Sequence, residues 1–135
     1  MKINPSVRGA DCHGSGHYGA SRGDRTHVGL DYACYPKSAV YPDKDGEVTK
    51  LGYPYADDLS FRYVEITDDA GYKARYFYVE PKASLSIGDF VHNDEVIGHS
   101  QELGQRYPGI LDHVHFEVKS PQGEYIDPAS YYLRK

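Results

Sequence analysis

The sequence predicts an all-β protein: a compact antiparallel β-sheet of sandwich-like or barrel-like form, with long loops and a short C-terminal helix. Fourteen Gly and eight Pro interrupt the 135 residues at short intervals, and no stretch carries the 3.6-residue apolar period of a long amphipathic helix. Between these breaks, short runs rich in Val, Ile, Tyr and Phe alternate apolar with polar residues, as half-buried strands do. With 39% hydrophobic residues, a chain of this length can bury one core but not two. A single domain over residues 1–135 is therefore expected.

Residues 1–26, with the tract HGSGHYGASRGDR, offer glycine-rich backbone and no alternation, so an irregular N-terminal approach lying over the core is expected. From His27 the segment HVGLDYAC is short and β-prone. SAVYP and DKDGEVTKLGY predict two strands joined at a turn around Asp45 and Gly46. YPYADDLS, with turn formers and no apolar period, predicts a loop. FRYVEITD resumes the alternation, DDAG turns the chain, and YKARYFYV returns as the second arm of a hairpin that Pro81 stops. SIGDFVHNDEVIGHS holds another turn and a short strand, QELGQRYPGILD is a loop, and HVHFEVK is the last clear strand, closed by the turn SPQG. In DPASYYL, Asp127 suits a helix N-cap and Pro128 the first helical position, which predicts the terminal helix.

A formal charge of −5 removes the basic footprint that nucleic-acid or anionic-membrane binding normally needs. No run approaches the roughly 18 apolar residues of a membrane span, and the opening MKINPSVRGADCHG lacks the apolar core of a signal peptide. Neither nucleic acid nor membrane is an expected partner. Cys12 and Cys34 are too few for a disulfide framework and lack CxxC spacing. They make either one bridge, in an oxidising compartment, or two buried thiols. Fourteen Tyr suit half-buried strand faces and polar grooves alike.

The chemistry concentrates in two histidine segments. In HVHFEV, His113 and His115 stand two residues apart on a strand and so share a face, roughly 6 to 7 Å apart. One imidazole of such a pair can bind a metal while the other stands beside the metal's water as a base. In HVGLD, His27 and Asp31 would lie roughly 13 Å apart on a straight strand, so a bend at Gly29 has to bring them together. Given that bend, two nitrogens and one carboxylate oxygen form a three-donor set with a position open for water, the catalytic pattern for zinc. Taken singly, each pair also fits structural histidines; their combination points to a metal. His13, His17, His92 and His99 have no matching spacing and are expected to be exposed or hydrogen-bonded. Arg22-Gly23-Asp24 spells a cell-adhesion tripeptide, but is expected instead to shape the entry to HVGLD.

HVGLD and HVHFEV resemble the HxxxD and HxH signatures of the lysostaphin-like metallopeptidases, which include the LytM-type cell-wall endopeptidases. YPDKDGEVTKLGY, SIGDFVHNDEVIGHS and DPASYYL are similar to further segments of that family in the same order, so the resemblance spans nearly the whole chain. Within the family, HGSGHYGASRGDRTHVGLDYAC, YFYVEP and YPGILDHVHFEV are most similar to the leukocyte cell-derived chemotaxin-like branch. The resemblance implies a metallopeptidase fold, Zn2+ held by His27, Asp31 and His115, and His113 as the catalytic histidine of the HxH pair. It also exposes a departure. Where the peptidases carry a second histidine in a YxHL-like segment, RYFYVEP places Tyr78.

Two functions follow from the resemblance. In the first, the chain is a zinc-dependent endopeptidase hydrolysing peptide cross-links of bacterial peptidoglycan, as a lysin or a secreted antibacterial effector. It would act outside the cytoplasm, in a cell wall or target-cell periplasm, after phage or secretion-system delivery, and an effector would have an immunity protein or secretion machinery as partner. His113 would take the proton of the zinc-activated water, and Tyr78 would donate a hydrogen bond to the oxyanion. In the second, the chain is a non-catalytic, chemotaxin-like zinc module that binds a receptor or a glycan. His113 favours the enzyme and Tyr78 favours the module. Glu117, at same-face spacing after His115, either orients that ligand or stands in solvent. The loops around Asp57 and Asp58, and from Gln101 to Asp112, would wall a substrate groove.

Overall fold

The computed structural model describes residues 21–22, 25–26, 29–33, 37–103, 113–128 and 131. Among them run twelve short strands: β1 (Ser21–Arg22), β2 (Arg25–Thr26), β3 (Leu30–Ala33), β4 (Ala39–Val40), β5 (Gly46–Gly52), β6 (Tyr63–Thr67), β7 (Lys73–Phe77), β8 (Val79–Pro81), β9 (Phe90–Val91), β10 (Gly98–Ser100), β11 (His113–Lys119) and β12 (Tyr125–Ile126). Every pairing is antiparallel, as the hairpin-forming turns of the sequence require. The large sheet runs β12-β11-β7-β6-β5-β9, with β3 also on β11; a smaller sheet runs β4-β10-β8, and β1 pairs with β2. On one edge of β11, β3 takes His113 to Phe116 while β12 takes Val118 and Lys119.

Strand alternation gives the large sheet two chemically opposite faces. Val114, Phe116 and Val118 of β11, Ala74 and Tyr76 of β7, Val64 and Ile66 of β6, and Val48 of β5 are buried on one of them. They meet Val40 and Val79 of the small sheet, together with Leu85, Val91, Ile97 and Tyr131, in a single apolar core. Tyr76 stacks on Phe116 at 5.0 Å between ring centroids, and the Tyr131 hydroxyl donates to Asp68 Oδ2 at 3.0 Å.

The opposite face is polar. Asp31, His115, Phe77 and Tyr63 form one cross-strand row, and Glu117, Arg75, Glu65 and Lys50 the next. Arg75 Nε donates to Glu65 Oε2 at 2.7 Å. A bulge in β5 between Val48 and Lys50 brings the Thr49 hydroxyl to Glu65 Oε1 at 2.8 Å. Burial of Glu65 is thereby matched by partners for both of its oxygens, the condition for keeping a carboxylate inside.

Several expectations are corrected. β4 and β5 do not form a hairpin: β4 joins β10 and β5 joins β6 and β9, because Val40 and Val48 enter the core from different sheets. YKARYFYV is not one strand. Tyr78 has a left-handed backbone, φ 66°, and the amides of Tyr78 and Val79 both donate to the Arg62 carbonyl, turning the chain from the large sheet into the small one. Pro81 ends β8 from inside, on an edge strand where proline is tolerated. The N-terminal approach is not wholly irregular, since Ser21 pairs with Thr26 and Arg22 with Arg25; Gly-Asp, between them in sequence, is a pair that favours two-residue hairpin connections. The expected strand HVHFEVK is β11 to the residue, and the expected loop over residues 53–60 carries no strand, while β6 starts at Tyr63, two residues after the expected start of FRYVEITD. Of the expected terminal helix, residues 129–130 and 132–135 lie outside the described residues, as do Cys12 and Cys34; Pro128 and Tyr131 are buried. Among the described residues no helix is long and apolar enough to cross a membrane.

Candidate metal centre and active site

The site grows out of the register between β3 and β11, which sets Asp31 opposite His115 and Ala33 opposite His113. Directly opposed residues of an antiparallel pair share a face, so a strand that places Asp31 beside His115 also brings it near His113, two residues away. Asp31 is 1% exposed. Its Oδ1 lies 2.7 Å from His115 Nδ1, and its Oδ2 lies 3.6 Å from His113 Nε2. One buried carboxylate is thus flanked by both imidazoles of the HxH pair. The chain bends at Gly29, just ahead of β3. A Cβ there would stand 2.4 Å from the Phe116 carbonyl oxygen and 2.9 Å from His115 Cε1 and Nε2, so only glycine lets the chain lie against the ring. His27, the other half of HxxxD, lies outside the described residues.

His115 is held at both ring nitrogens. Its Nε2 meets Glu117 Oε1 at 3.0 Å, and Phe77 approaches edge-on with centroids 5.4 Å apart. Burial by itself opposes the imidazolium, but hydrogen bonds and charge from Asp31 and Glu117 outweigh it and push His115 up to about 9. Glu117 is itself buried. Of the two settings expected for this residue, it takes contact with His115 in place of solvent.

Among the described residues no group of three His, Cys, Asp or Glu side chains is placed to hold a metal ion; of the three expected donors, Asp31 and His115 are the two that the structure brings together, and the third is His27. The donor chemistry fits zinc, which takes imidazole nitrogen and carboxylate oxygen together. Asp31 Oδ1 and His115 Nδ1 stand side by side at 2.7 Å, and the proton shared between them would be released if both bound one ion.

Beyond the two histidines stands an aromatic wall. His113 is 3% exposed and meets Tyr78 edge-on at 5.5 Å. The Tyr78 hydroxyl lies 2.6 Å from that of Tyr55, and Phe61 presents to both rings at 5.8 and 5.9 Å. Gln101 ties this wall together: its backbone amide donates to the Tyr78 carbonyl at 2.9 Å, its side-chain Nε2 donates to the Ser60 carbonyl at 2.7 Å, and its Oε1 accepts from the Arg62 amide at 2.9 Å. Sequence reasoning places Tyr78 at the site and Gln101 at the start of a wall loop but misses Tyr55 and Phe61; the aromatic density of YPYADDLSF is the signal that was available. Asp58 accepts from the Ser60 amide within its own loop. His92 and His99 are exposed, and His92 Nδ1 lies 3.4 Å from Asp45. His13, His17 and most of the Gln101 to Asp112 loop lie outside the described residues.

Leukocyte cell-derived chemotaxin-2 of Bos taurus is 30% identical over 119 residues, covering 86% of this chain and 75% of that protein. Among solved structures, Csd3 of Helicobacter pylori matches with a TM-score of 0.67 at 24% identity over 98% of this chain, which spans 35% of Csd3. The catalytic domain of the antimicrobial peptidase lysostaphin from Staphylococcus simulans matches at 0.66 with 20% identity and 90% of each chain covered. A zinc-containing peptidase from Vibrio cholerae matches at 0.62 with 23% identity, over 92% of this chain and 36% of that one. These structural likenesses establish the fold. Residues 25–128 match the family model described as Peptidase family M23, and over this, the greater part of its length, the chain belongs to that family.

Proposed function

We propose that the chain is a zinc-dependent endopeptidase that hydrolyses peptide cross-links of bacterial peptidoglycan, with His27, Asp31 and His115 as metal ligands, His113 as general base and Tyr78 as oxyanion donor. The observation that carries this reading is the buried Asp31 carboxylate between His115 and His113, with the Tyr78 ring against His113. Bound zinc supplies Lewis acidity, polarising the scissile carbonyl and lowering the pKa of water from about 15.7 toward about 7. His113 Nε2, the nitrogen that faces Asp31 Oδ2, accepts the proton, and the adjacent carboxylate stabilises the imidazolium that results. Burial of His113 keeps bulk water from competing for that proton. Tyr78 donates its O–H to the developing oxyanion, a role a neutral phenol can fill, and the Tyr55 hydroxyl holds its orientation.

The substrate class rests on membership of the peptidase family together with the resemblance of HVGLD and HVHFEV to cell-wall endopeptidases. Action in a cell wall or periplasm, and an immunity protein or secretion machinery as partner, belong to the same proposal. The likeness to chemotaxin-2, with tyrosine at position 78, favours the second reading of a zinc module without catalysis. Incubating the zinc-loaded protein with peptidoglycan of several wall chemotypes, and identifying released muropeptides by mass spectrometry, separates the two. New termini within the peptide cross-links support the endopeptidase. No release from any wall at neutral pH, with zinc bound, decides for the module.

A further inference from the structure

His115 contacts a carboxylate at each ring nitrogen, Asp31 Oδ1 at Nδ1 and Glu117 Oε1 at Nε2. The two contacts differ in origin. Asp31 comes from the neighbouring strand in direct register, whereas Glu117 is two residues along β11 on the same face. A glutamate at that spacing is long enough to reach back along the strand to the ring. Glu117 is 8% exposed, so its charge has to be met inside the protein. Opposite it in register stands Arg75, and Glu65 on the next strand binds that guanidinium. Burial works against the Arg75 cation, but the Glu65 hydrogen bond and charge, followed by the charges of Tyr63 and Glu117, outweigh it and hold Arg75 above its ordinary value. A row of alternating charge, Glu117, Arg75, Glu65, therefore backs the ring across three strands. Gly29 also lies against the imidazole, where a Cβ would meet Nε2 and Cε1.

We infer that Glu117 is a positioning residue for the metal centre: it accepts the Nε2 proton of His115 and so fixes the tautomer and ring orientation that present Nδ1 to the metal. This rests on the metal-ligand reading above. Asp31 cannot do the same work, since it lies on the Nδ1 side and is itself an intended ligand. Carboxylate partners of ligating histidines change metal affinity by about 10- to 100-fold when removed, and a carboxylate accepts more strongly than a neutral amide. The order of zinc affinity is therefore wild type, then Glu117→Gln, then Glu117→Ala.

The test measures zinc dissociation constants by chelator competition for wild type, His115→Ala, Glu117→Gln and Glu117→Ala, with melting of the metal-free proteins as a folding control. It also uses nitrogen-15 NMR of zinc-loaded wild type to read which ring nitrogen of His115 carries a proton. Expected are an Nε2–H signal, an affinity loss of about 10- to 100-fold in Glu117→Ala, and a smaller loss in Glu117→Gln. Glu117→Gln preserves shape and carries the affinity test if the alanine variant fails to fold. If His115→Ala binds zinc as tightly as wild type, the metal-ligand reading falls and this inference with it. If His115→Ala loses zinc while Glu117→Gln keeps wild-type affinity, or the zinc-loaded ring is protonated at Nδ1, this inference alone is overturned.

Discussion

Replacing Gly29 by alanine tests whether the site depends on close approach of backbone to ring. The position is buried, and its backbone is not left-handed, so space decides the outcome. The added Cβ would stand 2.4 Å from the Phe116 carbonyl oxygen and 2.9 Å from two atoms of the His115 ring. Favourable carbon–oxygen contacts begin near 3.3 Å, so about 0.9 Å of separation is required. No rotamer change can supply it at Phe116, because the obstructing atom is backbone of β11. The chain must move off β11 next to the pair that joins Asp31 to His115. Overpacking of this kind costs about 1–3 kcal/mol, and the stiffer unfolded chain of an alanine variant returns about 0.4–1 kcal/mol. The net loss of roughly 1–2 kcal/mol lowers the melting temperature of a domain this size by about 3 to 8 °C. Calorimetry of the metal-free protein and chelator competition for zinc measure the two consequences. A melting point within a degree of wild type together with unchanged zinc affinity refutes the steric reasoning.

Metal analysis should find about one zinc per chain, lost in each of His27→Ala, Asp31→Ala and His115→Ala; full occupancy in any one of them removes that residue from the ligand set. His113→Ala should keep zinc while peptidoglycan cleavage falls by about 100- to 10,000-fold; loss of both would make His113 a ligand. Tyr78→Phe should melt like wild type and lose about 100- to 1,000-fold in activity, whereas full activity leaves Tyr78 as wall packing only. Acid stability should depend on Glu65: burial pushes its carboxyl up, but hydrogen bonds from Arg75 and Thr49 and the charges of Arg75 and Lys73 outweigh this and hold it below 4.5. A depressed carboxyl contributes stability that is full above the unfolded value and lost as pH falls through the folded one. Glu65→Gln should therefore flatten the acid limb of stability against pH, and an unchanged limb would refute the assignment.

The face of β11 was legible in the sequence because period-2 alternation needs no tertiary information. His113, His115 and Glu117 fall on one side and Val114, Phe116 and Val118 on the other, as the structure has them. Asp31 was legible for a different reason, the resemblance of HVGLD to a known signature. The partition of strands between sheets was not legible. Val40 and Val48 look alike in sequence, and only the core decides that one enters from each side. The left-handed backbone of Tyr78 has no local signal either, since bulky residues rarely adopt it; two amides bonded to the Arg62 carbonyl impose it. Glu117 was open between ligand contact and solvent because its burial depends on β3, β7 and the ring of His115 together.

Gln101 has a consequence for how chains of this design can diverge. Through one amide side chain and one backbone amide it holds Ser60, Arg62 and Tyr78 together, while Tyr55, five residues earlier in the same loop, meets the Tyr78 hydroxyl. Two fixed points separated by a fixed count of residues constrain the length of the loop more than the composition of its tip. Exposed Ala56 and Leu59 can be exchanged without moving either anchor, whereas adding or deleting a residue between Tyr55 and Ser60 shifts one anchor against the other. Remodelling this loop is accordingly a problem of substitution at constant length.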